Sequence, residues 1–178
     1  MKYVALLRGI NVGGNNKVDM KQLKLVFEQA GMRSVKTYIN SGNIMFEYSE
    51  KSKTALAETL EQAIESNFGF VVKVLVRSHA DIQAIVNELP DTWVNDAVMK
   101  CDVMFLWDKV ATDTILQKLV IKPEIDSVKY VAGTILWSVD KKNVARSGML
   151  RLVGTDLYRH MTIRNCNTLR KIASMMNE

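Results

Sequence analysis

With 178 residues, 48% of them hydrophobic and 24% charged, the chain is long enough to bury a core and is not disordered. It has no apolar run near the roughly 18 residues of a membrane span and no secretory leader, so we expect a cytoplasmic protein without a membrane partner. The net charge of +5 suggests an anionic partner, whereas two cysteines, Cys101 and Cys166, and two histidines lack metal-ligand spacing, so we expect no metal and no cofactor.

Hydrophobic periodicity predicts alternating strands and helices in the first half of the chain. Strands are expected where apolar residues run together or alternate with polar ones, and helices where they recur every three or four residues. The predicted strands are Tyr3–Arg8, Ser34–Asn40, Asn43–Tyr48 and Phe70–Arg77. The predicted helices end at Gly31, Gly69 and Pro90. The resulting order is βαββαβ followed by a helix.

The second half repeats this order with negligible sequence identity. Its predicted strands are Cys101–Trp107, Val128–Ala132, Ile135–Val139 and His160–Ile163, and its predicted helices are Ile115–Val120, Val144–Val153 and a last one capped by Asn165. The apolar residues of the two closing helices follow their caps at the same intervals. The residues that follow Ser78 are Ile82, Ile85, Val86 and Leu89, and those that follow Asn165 are Leu169, Ile172, Ala173 and Met176. We therefore predict an α+β fold of two ferredoxin-like βαββαβ halves, each followed by a helix. This internal duplication gives domains at 1–90 and 91–178, with a boundary near residues 90–100.

The loop after the first strand is unusually long. It has about a dozen residues, against about two to six for a typical connection of this kind, and elaborated loops on a rigid scaffold tend to carry function. The alternative is an Ω-loop that only packs over the gap between the halves. Gly9 and Gly14 have the spacing of a Walker A loop, but Asn15 and Asn16 stand where lysine and serine or threonine are needed. Because Asp19 caps the following helix, we exclude a mononucleotide P-loop, and because Gly9, Gly13 and Gly14 do not fit G-x-G-x-x-G, we exclude a Rossmann site.

The strand directions place this loop beside a second one. In an antiparallel βαββαβ sheet the first two strands run the same way, so the long loop and the turn between strands two and three lie at one end. Both segments are rich in donors, although each asparagine could equally satisfy its own turn. The predicted site for a small anionic or polar ligand comprises Arg8, Asn11, Gly13, Gly14, Lys17, Asn40, Ser41, Gly42 and Asn43. Arg164, Asn165 and Asn167 complete it if the packing of the halves brings them to the loop.

A nucleic-acid-associated factor is the first alternative. Residues 141–178 hold eight lysines or arginines against two acids, although such a segment could equally be a solvated face. A base-stacking sheet is disfavoured, because Asn43 and Met45 occupy the positions where an RRM places its stacking aromatic residues, and Glu47 adds a negative charge on the same face. The remaining route is phosphate contact from Arg146, Arg151, Arg159, Arg164, Arg170 and Lys171.

A metal-independent hydrolase or transferase is the second alternative. Cys166 lies in the first turn of the last helix, where the helix dipole and Arg164 could activate it, and His160 is close in sequence. No residue to orient the histidine is evident, and a cysteine at such a position is usually a small buried residue. The sequence therefore leaves open whether the chain is an enzyme, and it does not predict the oligomeric state.

Three segments of the chain resemble one family. YVALLRGINVGGNNKVDM (3–20), TYINSGNIMF (37–46) and MTIRNCNTL (161–169) resemble the LLRGINVGG start, SGN turn and R-N-x-N-T end of the bacterial DUF1697 family. The resemblance covers essentially the whole chain and implies a duplicated ferredoxin-like α+β architecture, with no established activity, substrate or cofactor. The family's recurring polar residues fall on Arg8, Gly9, Asn11, Gly13, Gly14, Lys17, Ser41, Gly42, Asn43, Arg164, Asn165, Asn167 and Thr168. Cys166 stands where the family more often has tryptophan.

Overall fold

The computed structural model describes residues 1–49 and 52–178. Its strands are β1 (Lys2–Arg8), β2 (Arg33–Tyr38), β3 (Asn43–Glu47), β4 (Lys73–Ser78), β5 (Met99–Leu106), β6 (Asp126–Val131), β7 (Thr134–Asp140) and β8 (Met161–Asn165). Its α-helices are α1 (Met20–Gln29), α2 (Lys53–Phe68), α3 (His79–Glu88) and α4 (Cys166–Asn177). Short 3-10 helices lie at Ile115–Lys118, Lys141–Arg146, Gly148–Leu152 and Leu157–His160. None of the described helices is both long and apolar enough to span a membrane.

Two antiparallel sheets have the same strand order. The first is ordered β2-β3-β1-β4 and the second β6-β7-β5-β8, so in each sheet the first strand lies between the third and the fourth. This is the order of a ferredoxin-like sheet, and it occurs once in each half of the chain. The predicted α+β fold with a duplicated layout is confirmed.

The chain divides into two compact units. One consists of Met1–Ile82 and Ile172–Glu178, and the other of Gln83–Lys171. Both changeovers therefore fall inside the closing helices α3 and α4. The domain division into residues 1–90 and 91–178 stays a prediction.

The core of the first unit lies between its sheet and the helices α1 and α2. Tyr3, Phe27 and Phe46 are buried there, and the ring of Phe46 lies 5.8 Å from each of the other two rings. On the opposite face of β1, Val4 and Leu6 are also fully buried. Because both faces of the strand are covered, β1 is an uninterrupted apolar run in the sequence.

The caps that open the two closing helices are confirmed. The Ser78 hydroxyl accepts from the backbone N–H of Asp81 (3.2 Å), whose carboxylate accepts in return from the N–H of Ser78 (2.8 Å). In α4, the side-chain oxygen of Asn165 accepts from the N–H of Thr168 (2.9 Å). Seven of the eight matched apolar residues are buried and Val86 is half-buried; the buried ones are Ile82, Ile85, Leu89, Leu169, Ile172, Ala173 and Met176.

The helices predicted at Ile115–Val120 and Val144–Val153 are wrong in type and length. The first is a single 3-10 turn, and the second is divided into two 3-10 helices that meet at Ser147, whose backbone is extended. In the second segment, contacts with a residue distant in sequence favour the two 3-10 helices over one α-helix. The buried Asp126 carboxylate accepts from the Ser147 hydroxyl and from the N–H of Gly148 (3.0 Å).

Gly148 is required by a close backbone approach in the same region. A Cβ at this position would lie 1.5 Å from the carbonyl oxygen of Val120, so no side chain fits there. The segment is thus shaped by contact with a distant piece of chain, which hydrophobic spacing does not reveal.

Candidate functional site

The long loop after β1 contains a miniature hairpin. The N–H of Asn15 donates to the carbonyl of Val12 (3.1 Å), and the N–H of Asn11 donates to the carbonyl of Asn16 (3.1 Å). Between these arms, Gly13 and Gly14 have φ angles of 59° and 79°, as a type I′ turn requires. Sequence reasoning missed this hairpin, although a Gly-Gly pair is a recognised mark of a two-residue hairpin turn.

The hairpin lies beside the turn between β2 and β3, as the strand directions predict. The side-chain amide of Asn11 donates to the carbonyls of Asn40 (2.9 Å) and Val18 (3.1 Å), and its oxygen accepts from the N–H of Val18 (2.8 Å). The N–H of Leu7 donates to the carbonyl of Gly42 (2.9 Å). Asn11 therefore ties the two predicted loop segments together, and its amide group is occupied in doing so.

Two further predicted residues support the turn itself. Asn43 is fully buried, and its amide donates to the carbonyl of Tyr38 (3.0 Å) and to the Ser41 hydroxyl (3.0 Å). Gly42 has a φ angle of 82°, and a Cβ on it would lie 2.7 Å from the Cβ of Leu7. Glycine is needed here because β1 passes directly against the turn.

Backbone strain is present at the edge of the site. Ile39 has a φ angle of 50° although it is β-branched, and 49% of its surface is exposed. Such a conformation costs about 1–3 kcal/mol. The neighbouring loop holds Asn11 and Asn16 in the same left-handed region, which asparagine tolerates better.

An open hollow of about 590 Å³ lies at this end of the first unit. Its walls are Asn11, Gly14, Lys17, Val18, Asp19, Met20, Lys21 and Asn40. Lys17 and Lys21 are exposed, and neither forms an ion pair within residues 1–49 and 52–178. The carboxylate of Asp19 accepts from the N–H of Gln22 (2.9 Å) as the cap of α1. Two unpaired cations thus face the hollow against one carboxylate, and that carboxylate is already hydrogen-bonded.

The remaining predicted cation of this unit, Arg8, is half-buried at the end of β1. It lies opposite Lys73 in the pairing of β1 with β4. Lys73 is in turn paired with Glu61 (3.0 Å). Arg8 is not part of the wall of the hollow as the structure describes it.

A second hollow of the first unit, of about 230 Å³, contains none of the predicted site residues. Lys36 and Glu178, both in its wall, form an ion pair of 2.8 Å. Lys2, the other lysine in its wall, donates to the carbonyl of Met176 (3.0 Å), so both cations are already engaged and the larger hollow is the better candidate for an anion.

The three C-terminal residues predicted for the site belong to the second unit and are engaged there. Arg164 is buried and donates to the Thr162 hydroxyl (3.0 Å) and to the carbonyl of Ile163 (2.8 Å). Burial lowers the pKa of its guanidinium to about 10. Asn165 caps α4, and the amide of Asn167 donates to the carbonyl of Asn95 (2.8 Å).

The cations considered for nucleic-acid contact divide into two groups. Arg164 is buried, and Arg170 donates to the carbonyls of Trp93 (2.8 Å) and Pro90 (2.9 Å). The exposed ones are Arg146, Arg151, Arg159 and Lys171. On β3, Asn43 and Met45 are both buried, so this sheet face offers no surface on which bases could stack.

The groups considered for catalysis are not assembled as a nucleophile and base. The sulfur of Cys166 contacts Cys101 and the side-chain oxygen of Asn167 (3.6 Å), whereas the His160 ring lies 3.7 Å from the Asp156 carboxylate. Over the described parts of the chain, no cluster of three or more histidine, cysteine or acidic side chains could hold a metal ion.

Comparisons with known proteins identify the family. The model of the family described as "Protein of unknown function (DUF1697)" matches residues 1–137, which include the hairpin and the β2–β3 turn. The solved structure of the conserved bacterial protein SP0830 from Streptococcus pneumoniae is similar, with 32% identity, 98% of each chain covered and a TM-score of 0.82. None of the curated proteins gives a significant match to the sequence. This chain therefore belongs to the DUF1697 family of proteins of unknown function.

Proposed function

We propose that the protein binds a small anionic ligand, a carboxylate or a phosphate, in the hollow beside the Asn11–Asn16 hairpin. The observation that supports this best is the pair of exposed lysines, Lys17 and Lys21, in a wall whose one carboxylate caps a helix. The proposal includes the cytoplasmic location expected from the sequence, which cell fractionation would test.

The donors around the hollow suit recognition without strong binding. Lysine ammonium groups act as point charges for an anion, and the exposed side-chain amide of Asn40 can donate to one of its oxygens. Each exposed charge contact contributes only about 0–1 kcal/mol, so a ligand held in this way binds with a Kd on the order of millimolar, or about −4 kcal/mol. A larger anion that also reaches the hairpin backbone would bind more tightly.

We propose binding and no reaction at this site. General acid–base chemistry needs a group that is free to exchange a proton in contact with the ligand. The Asp19 carboxylate already accepts from the N–H of Gln22, and the two lysines are exposed and so lack the burial that makes a lysine a general base.

Titration of the protein with inorganic phosphate, sugar phosphates, nucleotides and organic acids, followed by thermal shift and by amide NMR, tests the proposal. We expect Lys17→Ala and Lys21→Ala each to weaken binding about fivefold, the equivalent of about 1 kcal/mol. Lys24→Ala is the matched control, because Lys24 lies on α1, like Lys21, but pairs with Glu28 (3.8 Å). Binding that is unchanged in the Lys17 and Lys21 variants would contradict the proposal.

A short oligonucleotide in the same screen distinguishes the nucleic-acid alternative. Contacts to several phosphates make affinity fall steeply as salt is added, whereas two lysines give a weak dependence. Steep salt dependence that is lost in Arg146→Ala and Arg151→Ala, with no response to phosphate or organic acids, would replace our proposal with that alternative.

A further inference from the structure

Cys101 and Cys166 face each other at the end of the β5–β8 ladder. Asp102 pairs with Asn165, so the next antiparallel positions are Cys101 on β5 and Cys166 at the first residue of α4. The two thiols interact with each other, the Cys166 thiol donates to the side-chain oxygen of Asn167 (3.6 Å), and both cysteines are free and fully buried. Directly opposed residues of an antiparallel pair have Cα atoms about 4.5–5.5 Å apart, within the range that a disulfide bridges.

We propose that Cys101 and Cys166 form a peroxide-sensitive dithiol, which hydroperoxides oxidise to an intramolecular disulfide and small thiols reduce again. The modification is independent of the anion-binding hollow, which lies in the other compact unit.

The environment of the pair gives the two thiols different roles. The hydrogen bond from Cys101 lowers the pKa of Cys166 to about 7, and the charge of Arg170 and the N–H groups of Cys166 and Asn167 act in the same direction against the effect of burial. The same hydrogen bond, together with burial and the charge of Asp102, raises the pKa of Cys101. Cys166 is therefore the nucleophile, and Cys101 is the resolving thiol.

Two asparagines, Asn95 and Asn167, contact the cysteine pair. Asn167 is exposed, its oxygen lies 3.6 Å from the Cys166 sulfur, and its amide donates to the carbonyl of Asn95 (2.8 Å). The side-chain oxygen of Asn95 accepts from the N–H of Cys101 (3.3 Å). Access of hydrogen peroxide to the buried sulfurs requires local opening, for which we propose this asparagine pair as the route.

The reaction balances with hydrogen peroxide as the oxidant. The Cys166 thiolate attacks one peroxide oxygen, so that an S–O bond forms, the O–O bond breaks and hydroxide leaves. The sulfur of Cys101 gives up its proton and attacks the resulting sulfenic acid, so that the S–S bond forms and a second hydroxide leaves. The two thiols lose two electrons and two protons, and the peroxide is reduced to two molecules of water.

Thiol titration and intact-mass measurement of the folded full-length chain after peroxide treatment test the proposal. We expect the loss of both thiols, a mass lower by two hydrogen atoms, a Cys101–Cys166 cross-linked peptide and full reversal by dithiothreitol. Cys101→Ser retains a donor but cannot resolve, so it should accumulate a dimedone-reactive sulfenic acid at Cys166. Cys166→Ser should leave Cys101 unreacted under the same conditions.

Two further measurements separate this chemistry from slow oxidation through unfolding. The oxidation rate of the native protein should rise through about pH 7, and the rise should move to higher pH in Cys101→Ala, which loses the hydrogen bond to Cys166. Asn167→Ala should oxidise several-fold faster, because the covering contact is removed. The proposal is overturned if both thiols survive peroxide in the native protein yet react in urea, or if only overoxidised or intermolecular products form.

Discussion

Asp126 shows how one residue can shape a large part of the second unit. Its buried carboxylate accepts from the Ser147 hydroxyl, from the indole N–H of Trp137 (3.2 Å) and from the backbone of Gly148 (3.0 Å) and Lys122 (3.0 Å). Four donors around one carboxylate favour its ionised form. Although burial raises the pKa of Asp126, these hydrogen bonds outweigh it and hold the pKa below the usual value.

Replacing Asp126 by asparagine should destabilise the protein in a pH-dependent way. The amide would turn a donor toward groups that are themselves donors, at a cost of about 2–3 kcal/mol at pH 7. Because the pKa is lower in the folded state, this stabilisation is present above the unfolded value of about 3.9 and is lost as pH falls through the folded value. Urea unfolding followed by Trp fluorescence should show the gap between wild type and Asp126→Asn narrowing below about pH 4. A gap that stays constant down to pH 2 would contradict this account.

At the scale of the element, the two loops of the candidate site depend on glycine for different reasons. Gly13 and Gly42 both have positive φ angles, but a Cβ on Gly13 would meet nothing within 4 Å, whereas one on Gly42 would lie 2.7 Å from Leu7. The hairpin turn therefore needs only the backbone conformation, and the β2–β3 turn also needs the space.

Alanine substitutions at these two glycines should separate the two requirements. Gly13→Ala should lower the free energy of unfolding by about 1–2 kcal/mol because of the left-handed conformation alone. Gly42→Ala should carry the same cost and lose about 1–3 kcal/mol more from overpacking against β1. Gly13→Asn is the control, since Asn-Gly is a favoured type I′ pair and should be nearly neutral. Equal losses of unfolding free energy in denaturant for the two alanine variants would contradict the packing difference.

Elements that are fixed by hydrogen bonds between residues close in sequence could be predicted, and elements that are fixed by bonds between residues far apart in sequence could not. The caps at Asp19 and Ser78 are recognisable because the side chain and the N–H that it accepts from lie three residues apart. The 3-10 helices around Ser147 depend on a carboxylate at Asp126, 21 residues away in sequence. In the site, strand direction predicted that the two loops meet, and the sequence left open whether Asn11 and Asn43 bind a ligand or satisfy backbone groups; Asn11 joins the two loops and Asn43 supports its own turn.

At the scale of the whole molecule, the duplication extends to the contacts of individual side chains. In each half, the residue before the last helix cap is a buried arginine, Arg77 before Ser78 and Arg164 before Asn165. Each donates to the carbonyl of its preceding residue, Val76 (3.2 Å) or Ile163 (2.8 Å). The elaborated hairpin is the clearest departure from this symmetry, because it occurs after β1 and the corresponding position after β5 has no such hairpin among the described residues.

Hydrogen exchange across the whole chain should record both the symmetry and the departure from it. The inner strands β1, β3, β5 and β7 are each paired on both sides, so their amides should exchange most slowly, whereas the exposed hairpin Asn11–Asn16 should exchange fast. Added phosphate should protect the hairpin, the β2–β3 turn and the start of α1, because bound ligand disfavours their opening. Protection that also covers Arg164–Asn167 would show that these predicted residues complete the site. Protection confined to the exposed basic residues between 146 and 171 would instead place the anion there and remove the basis for the hollow.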